Sequence, residues 1–152
     1  MEELSGSARL GLWFVHVRWS GTTVFQVRFS KSPLPGPVPP LIQQYLAGRP
    51  VDPASLDVGT FPPGEHDAAV YREVRKIPYG STATYGEVAG RAGTAPRAVG
   101  QAMRRNPVPL VIPCHRVVSR SGRGGFTPDP EIKALLLDME RKNRRRFHCV
   151  DK

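Results

Sequence analysis

The sequence predicts an α+β fold, in which a small strand-rich α/β domain precedes a mainly helical C-terminal domain with a winged helix-turn-helix. Apolar and polar residues alternate before residue 30, which is typical of strands with one buried face. After residue 64, apolar residues recur at the spacing of one helix face. Residues 50–63 are rich in proline, glycine and aspartate, as linkers are. The expected domains are therefore residues 1–60 and 61–152.

The N-terminal domain is expected to begin with a β-hairpin. Apolar residues occupy every second position in both strands, namely Trp13, Val15, Val17 and Trp19, then Phe25, Val27 and Phe29. Ser20 and Gly21 form the predicted turn, where glycine can supply a positive φ. Five prolines within residues 32–40 argue against regular structure there. Residues 41–47 predict a short helix.

The C-terminal domain is expected to begin with three helices. Residues 65–77 predict the first of them. Thr84 is the expected N-cap of the second, with Glu87 at the capping-box position. Pro96 suits the first turn of the third helix, which is rich in arginine and ends before Asn106 and the following proline. Two short helices joined by a glycine turn outline a helix-turn-helix.

The remainder of this domain is expected to supply the wing and a final helix. Residues 108–112 form an apolar run that predicts an extended strand. Residues 117–126 suggest a strand followed by a glycine-rich wing. Residues 131–142 have apolar positions at helical spacing, and we expect the basic tail after them to be frayed.

Positive charge is concentrated in the second half of the sequence. Residues 61–152 hold 17 lysines and arginines against nine acidic residues, whereas residues 1–60 hold five against four. A basic domain usually meets a polyanion, most often nucleic acid, and a solvated basic surface is the alternative. No apolar run approaches the roughly 18 residues of a membrane span, and the acidic N-terminus does not resemble a signal peptide. Two cysteines make no disulfide framework, so we expect an intracellular protein, cytoplasmic or, in a eukaryote, nuclear.

Cys114 lies in the segment Pro113-Cys114-His115-Arg116-Val117, with apolar residues on both sides. A thiolate is a far better nucleophile than a thiol, and positive neighbours stabilise it. A reactive cysteine is one interpretation of this segment. A small buried apolar residue is the other, because free cysteine is usually that.

Three kinds of chemistry are open to Cys114 and His115. A cysteine hydrolase fits poorly, because the side chains of adjacent residues rarely point the same way and a proline-led run precedes the cysteine. A metal site shared with His148 and Cys149 also fits poorly, because structural zinc ligands are normally spaced pairs. A thiolate that attacks a nucleic acid unites the nucleophile, the helix-turn-helix and the basic charge. Its target base would have to be turned out of the duplex.

The segment around Cys114 resembles the active-site signature of the O6-alkylguanine-DNA alkyltransferases. The resemblance covers roughly residues 64–141, whereas the N-terminal half is similar only in outline. The segments that carry it are Ile77-Pro78-Tyr79-Gly80, Thr84-Tyr85-Gly86-Glu87-Val88-Ala89, Arg97-Ala98-Val99-Gly100-Gln101-Ala102-Met103-Arg104-Arg105-Asn106-Pro107-Val108-Pro109, and Lys133-Ala134-Leu135-Leu136-Leu137-Asp138-Met139-Glu140.

This resemblance implies a one-shot repair reaction on double-stranded DNA that carries O6-alkylguanine. Cys114 would take the alkyl group from O6 of the flipped guanine. His115 would act as the base through a water molecule, and Glu140 would orient it and stabilise its charge. Tyr85 would hydrogen-bond the flipped guanine and help to neutralise the leaving anion. Asn106 would hold the turn between the recognition helix and the active-site strand.

The resemblance also implies a DNA-binding helix and an alkyl pocket. Arg97 would enter the base stack in place of the flipped nucleotide. The further DNA-binding residues would be Pro96, Gly100, Arg104 and Arg105. The pocket would be lined by Met103, Val117, Phe126 and Thr127.

The sequence departs from the family pattern in one loop. The family usually has tyrosine and serine where this chain has Phe126 and Thr127, and Pro128-Asp129-Pro130 replaces glycines. No cysteine precedes Cys114, so the N-terminal zinc site of some members is not expected, and neither is any cofactor. We expect a monomer. The rival hypotheses are a non-enzymatic alkyl-damage recognition protein, whose relatives carry tryptophan in place of the cysteine, and a helix-turn-helix regulator.

Overall fold

The structure is a computed structural model that describes residues 2–59, 64–126 and 128–150, with side chains as far as residue 144. Its first half is a four-stranded sheet in the order β1-β2-β3-β4. The strands are β1 (Leu4–Leu10), β2 (Trp13–Ser20), β3 (Thr23–Ser30) and β4 (Asp57–Val58). The first three pair antiparallel, and β4 pairs parallel to β3. The predicted hairpin is confirmed as β2 and β3.

Two features of this half differ from the sequence prediction. β1 was not predicted, because its sequence contains Ser5, Gly6 and Ser7, which have little preference for strands. The linker predicted at residues 50–63 is partly structured, since it contains a 3₁₀ turn, Pro53–Ser55, and then β4.

A short helix, α1 (Pro40–Leu46), packs against the sheet. It begins at Pro40, the last residue of the proline-rich stretch, because proline suits the first helical position. Ile42 and Tyr45 are both fully buried. α1 therefore presents one apolar face to the core and brings a tyrosine hydroxyl into it.

Four helices form most of the second half. They are α2 (Glu65–Arg75), α3 (Tyr85–Ala92), α4 (Pro96–Arg104) and α5 (Pro130–Val150). The capping box predicted before α3 is confirmed, because Thr84 accepts from the Glu87 amide and Glu87 accepts from the Thr84 amide. Gly93, with φ of 74°, supplies the left-handed residue that ends α3. α5 continues past the predicted end at residue 142 to Val150.

The segment between α4 and the cysteine is a turn, so the prediction of an extended strand at residues 108–112 was wrong. The amide of Ile112 donates to the Val108 carbonyl at 2.9 Å, and Leu110 has a positive φ of 76°. This compact turn leads to a 3₁₀ turn, Cys114–Arg116. β6 (Val117–Val118) follows and pairs parallel with β5 (Ala83–Thr84).

The wing predicted after β6 contains little regular structure. In the described part of residues 119–128, the pairing is a single isolated bridge between Ser119 and Gly122. The two helices of the predicted helix-turn-helix, α3 and α4, are present as expected.

Backbone and side-chain hydrogen bonds join the two halves. The amide of Val27 in β3 donates to the Pro107 carbonyl at 2.9 Å, which holds β3 against the turn that precedes Cys114. Arg75 at the end of α2 donates to the carbonyls of Ala54 and Leu56 at 2.8 and 2.6 Å, which holds α2 against the segment before β4. None of the described helices is long and apolar enough to cross a membrane.

Candidate active site

Cys114 begins the 3₁₀ turn and lies at the wall of a cleft of about 880 Å³. Its side chain is only 7% exposed. The predicted site residues that line this cleft are Tyr85, Pro96, Arg97, Gly100, Met103, Arg104, Asn106 and Phe126. β3 contributes a wall that was not predicted, with Phe29 in edge contact with Phe126 at a centroid distance of 5.6 Å.

Burial controls the ionisation of the cysteine. It raises the pKa of the Cys114 thiol to about 11, against opposing effects of the Asn106 side chain and the Lys133 ammonium group. The resting cysteine is therefore a neutral thiol at physiological pH. A reaction through the thiolate needs a base that removes this proton.

His115 and Glu140 form a buried pair behind the cysteine. His115 Nε2 donates to Glu140 Oε2 at 2.6 Å, and each side chain is 1% exposed. Burial lowers the pKa of His115, although the Glu140 carboxylate opposes this effect. Among the described groups, His115 Nδ1 has no hydrogen-bond partner. A neutral imidazole with a free ring nitrogen is the form that can accept a proton.

Arg116 anchors this pair, a role that the sequence analysis missed. Its buried guanidinium donates to both oxygens of Glu140, at 2.9 and 3.0 Å, and to the Ile77 carbonyl at 3.0 Å. It also pairs with Asp52 from the first half at 3.0 Å. Burial by itself raises the pKa of Glu140, but His115 and Arg116 hold it well below its usual range. Glu140 is therefore a permanent anion beside the imidazole.

Tyr45 is a second residue that the sequence analysis missed. Its hydroxyl donates to Glu140 Oε2 at 2.5 Å and lies 3.4 Å from His115 Nε2. Burial, and next the negative charge of Glu140, raise the pKa of Tyr45 well above its ordinary value. Tyr45 and Asp52 lie in the half where the resemblance was only an outline, so no motif marked them.

Lys133 on α5 is a buried cation close to the cleft. Its ammonium group donates to the carbonyls of Val117 and Gly125 at 2.5 and 3.3 Å, and lies 5.7 Å from the centre of the Tyr85 ring. Burial lowers its pKa to about 8. Lys133 belongs to a segment that carries the family resemblance, but the sequence alone predicted no role for it.

Asn106 ties together the turn that carries the cysteine. Its Nδ2 donates to the Ile112 carbonyl at 2.9 Å, and its Oδ1 accepts from the Val108 amide at 3.0 Å. Both bonds cross the base of the turn. Asn106 therefore holds a compact turn where an extended strand was predicted.

Except for the residues of the first half, such as Tyr45 and Asp52, these site residues lie in the part of the chain that matches a known protein family. Residues 65–142, just over half of the chain, match the family model described as the DNA-binding domain of 6-O-methylguanine DNA methyltransferase. This chain belongs to the 6-O-methylguanine DNA methyltransferase family. The resemblance found in the sequence is thereby confirmed.

Curated relatives in the 6-O-methylguanine DNA methyltransferase family share the name methylated-DNA–protein-cysteine methyltransferase. The relative from Saccharolobus solfataricus is 40% identical over 97 residues, which are 63% of this chain and 62% of that protein. The relative from Metallosphaera sedula is 41% identical over 103 residues, 65% of this chain and 63% of that protein. The chain thus matches less than two thirds of the length of these relatives.

Solved structures confirm the predicted fold class over nearly the whole chain. The O6-methylguanine methyltransferase of Mycobacterium tuberculosis has a TM-score of 0.76 at 24% identity and covers 93% of this chain and 94% of its own. The O6-methylguanine-DNA methyltransferase from Pyrococcus kodakaraensis has a TM-score of 0.66 at 26% identity, with 90% and 97% covered. The α+β fold of the 6-O-methylguanine DNA methyltransferase family therefore includes the N-terminal sheet.

Two predicted site residues of this family member are not free groups in the cleft. Arg105 forms a two-pronged ion pair with Asp67, with both N–O distances at 2.9 Å. Val117 is fully buried in β6 and does not line the cleft. Thr127 lies outside the described residues. In the described part of the chain, no cluster of three His, Cys, Asp or Glu side chains could hold a metal ion.

Proposed function

We propose that the protein repairs O6-alkylguanine in double-stranded DNA by transferring the alkyl group to its own Cys114, once and irreversibly. The observation that carries this proposal is the buried Cys114 at the cleft, backed by the His115–Glu140 pair within a chain of this family. The names of the curated relatives support the same reaction.

The chemical step is a displacement at the alkyl carbon. The Cys114 thiol gives its proton to His115 Nδ1 through a water molecule, and the sulfur then forms a bond to the alkyl carbon. The bond between this carbon and guanine O6 breaks, and guanine leaves as an anion that takes up a proton from water, while the imidazolium of His115 releases the thiol proton to water. Tyr85 lines the cleft, and burial raises its pKa, so its hydroxyl stays protonated and able to donate to the guanine. Since the sulfur–carbon bond is stable, each molecule reacts once.

We propose α4 as the element that meets the DNA. Its exposed arginines, Arg97 and Arg104, line the cleft beside Cys114. In this role Arg97 fills the space that the flipped base leaves, while Pro96 and Gly100 let the backbone approach the duplex. A structure of the M. tuberculosis relative in complex with DNA supports DNA as the partner. Arg105 would add to binding through the part of its exposed guanidinium that does not contact Asp67.

The organisation of the chain is part of the proposal. The sheet and α1 occupy residues 2–59, and α2 begins at Glu65, which supports a domain boundary close to residue 60. We also propose that the protein acts as a monomer inside the cell, because one chain contains every group that the reaction uses.

The decisive experiment is intact-protein and peptide mass spectrometry after reaction with a duplex that carries one O6-methylguanine. We expect one methyl group on the Cys114 peptide and a restored guanine. Cys114→Ala should transfer nothing but keep its binding to the duplex. Tight lesion binding by the parent without transfer would replace this proposal with the non-enzymatic recognition protein.

Arg97→Ala separates base flipping from chemistry. The variant should lose more rate on duplex O6-methylguanine than on free O6-benzylguanine, which needs no flipping. The rates come from single-turnover kinetics, with Arg91→Ala as a control that removes an exposed arginine from α3. Equal slowing on both substrates would contradict the role of Arg97 in flipping.

A further inference from the structure

The His115–Glu140 pair is completed by a residue from the other half of the chain. Tyr45 stands 95 positions before Glu140 in the sequence, and its hydroxyl reaches the same carboxylate oxygen that His115 Nε2 contacts. Tyr45 is fully buried, so water does not compete for this bond. A buried hydroxyl on a buried carboxylate directly affects how that carboxylate acts on the imidazole.

We propose that Tyr45 is a positioning residue for alkyl transfer, which fixes the proton of His115 on Nε2 and leaves Nδ1 as the nitrogen that receives the Cys114 proton. The inference rests on the proposed transfer reaction and deepens it. It assigns the N-terminal half a part in the chemistry as well as in the fold.

The hydrogen-bond pattern around Glu140 carries the first step. Oε1 accepts from Arg116 Nε at 2.9 Å and from the Gly80 amide at 3.1 Å. Oε2 accepts from Arg116 Nη2 at 3.0 Å and from Tyr45 Oη at 2.5 Å, and lies 2.6 Å from His115 Nε2. Four donors other than His115 thus surround one carboxylate. A carboxylate accepts this many bonds only as an anion.

The tyrosine proton carries the second step. A phenol has a single O–H group that can donate a hydrogen bond. The hydroxyl of Tyr45 donates to Glu140 Oε2 at 2.5 Å. Tyr45 is therefore not a donor to His115 Nε2, 3.4 Å away. Because the anionic Glu140 cannot donate either, Nε2 must carry its own proton. The neutral imidazole then has its lone pair on Nδ1, the ring nitrogen with no partner among the described groups.

The third step concerns the basicity of the imidazole. A hydroxyl that donates to Glu140 spreads part of the carboxylate charge, so the carboxylate stabilises a charged imidazolium less. The other charged or titratable groups that face this cluster are Arg116, Asp52 and Tyr79. Removing the Tyr45 hydroxyl leaves these in place and makes Glu140 more basic. The pKa of His115 should then rise, and less of the neutral base is present at a given pH.

Tyr45 is held rigidly enough to act in this way. Its ring meets the Tyr79 ring edge-on, with centroids 6.1 Å apart and an angle of 88°. Asp52, from the same half, pairs with Arg116 at 3.0 Å. The first half thus contacts Glu140 directly through Tyr45 and indirectly through Asp52 and Arg116.

The test compares Tyr45→Phe with Tyr71→Phe as the matched control. Tyr71 is also buried, and its hydroxyl donates to the Ala102 carbonyl at 2.8 Å beneath α4. Single-turnover rates with free O6-benzylguanine are measured from about pH 5 to 9, where imidazole titrates. We expect Tyr45→Phe to be slower by about tenfold, the equivalent of one buried hydrogen bond. The acid limb of the pH–rate profile should move to higher pH in Tyr45→Phe. In Tyr71→Phe it should stay where it is in the parent.

Nitrogen-15 NMR of His115 gives a readout that does not depend on transfer. In the parent we expect the tautomer with the proton on Nε2, and in Tyr45→Phe a midpoint of protonation at higher pH. A parent tautomer with the proton on Nδ1, or an unchanged midpoint in Tyr45→Phe, overturns the role of Tyr45. A parent that shows the expected NMR behaviour without transferring alkyl groups would instead overturn the proposed function.

Discussion

Cys114 and Lys133 are two buried ionisable groups beside the cleft, one acidic and one basic. Each affects the pKa of the other. Burial raises the pKa of the Cys114 thiol to about 11 and lowers that of the Lys133 ammonium group to about 8. At neutral pH the thiol is therefore neutral and the lysine still charged. The lysine opposes the rise of the thiol pKa, so it would favour the thiolate in the proposed proton transfer to His115.

Lys133→Met should make Cys114 less reactive. Methionine fills much of the space of the lysine stem but carries no charge, so the pKa of the thiol should rise further. At pH 7 we expect iodoacetamide to alkylate Cys114 up to about tenfold more slowly, the factor that one pKa unit represents. Mass spectrometry of the Cys114 peptide at a series of pH values gives the rate of alkylation. The pH midpoint of this rate reports the pKa of the thiol.

Lys76→Met is the control for the loss of one positive charge. Lys76 is an exposed lysine that pairs with Glu73 on α2 at 2.9 Å. The Lys76→Met substitution should leave the pH midpoint of Cys114 alkylation unchanged. If Lys133→Met and the parent have the same pH midpoint of Cys114 alkylation, Lys133 does not help to activate the cysteine.

Which residues could be predicted from the sequence depended on how close their partners lie in the chain. Cys114, His115 and Asn106 carry recognisable local patterns. Tyr45 and Asp52 touch Glu140 and Arg116 across separations of 95 and 64 residues, which no local pattern encodes. Their partners could be identified only after the two halves were packed together.

At the level of elements, the start of α3 sets the position of Tyr85. Thr84 accepts from the Glu87 amide at 3.0 Å, and Glu87 accepts from the Thr84 amide at 2.9 Å. Tyr85 is the first residue of the helix and points its ring to Gly124 and Lys133 across the cleft. The cap therefore orients a proposed substrate-binding residue. It also supplies a hydrogen-bond partner for a backbone amide in the first turn of α3.

Thr84→Ala should weaken this helix start. The loss of an N-cap costs about 1 kcal/mol of protein stability, and Thr84→Ser, which keeps the hydroxyl, should restore most of it. Urea denaturation of the three proteins gives the free energies of unfolding. Equal stability of Thr84→Ala and the parent would mean that the Thr84 side chain does not stabilise the helix.

The elements that the sequence predicted best have strong local signals. α3 was marked by its capping box and α4 by Pro96. The strand predicted at residues 108–112 failed because its apolar residues are buried within a turn, where Leu110 takes a positive φ. Burial makes such a run apolar without requiring strand structure. The Asn106 bonds, rather than ladder pairing, hold this segment together.

For the whole molecule, the two halves share a single buried site. Asp52 and Tyr45 from the first half meet Arg116 and Glu140 from the second, and Val27 holds the turn before Cys114. A disturbance at the cysteine therefore acts on the packing of both halves. We expect the halves to unfold together, because the buried charges of Arg116 and Glu140 depend on partners from each.

Alkylation of Cys114 should destabilise the whole protein. Cys114 is 7% exposed beside the turn held by Asn106, so we expect an added alkyl group to crowd its packed neighbours. Overpacking costs about 1–3 kcal/mol, which for a chain of this size corresponds to a melting temperature lower by several degrees. A benzyl group should lower it more than a methyl group. Thermal denaturation monitored by circular dichroism measures this for protein reacted with each O6-alkylguanine substrate.

Cys114→Ala treated with the same substrates controls for effects of the reagents, and its melting temperature should not change. If the alkylated parent melts at the same temperature as the unreacted protein, the cleft accommodates the group without displacing the turn. Burial of Cys114 would then serve only to keep the thiol protonated. A lower melting temperature instead means that the alkyl group displaces the packed neighbours of Cys114, so that the reacted protein is less stable than the unreacted one.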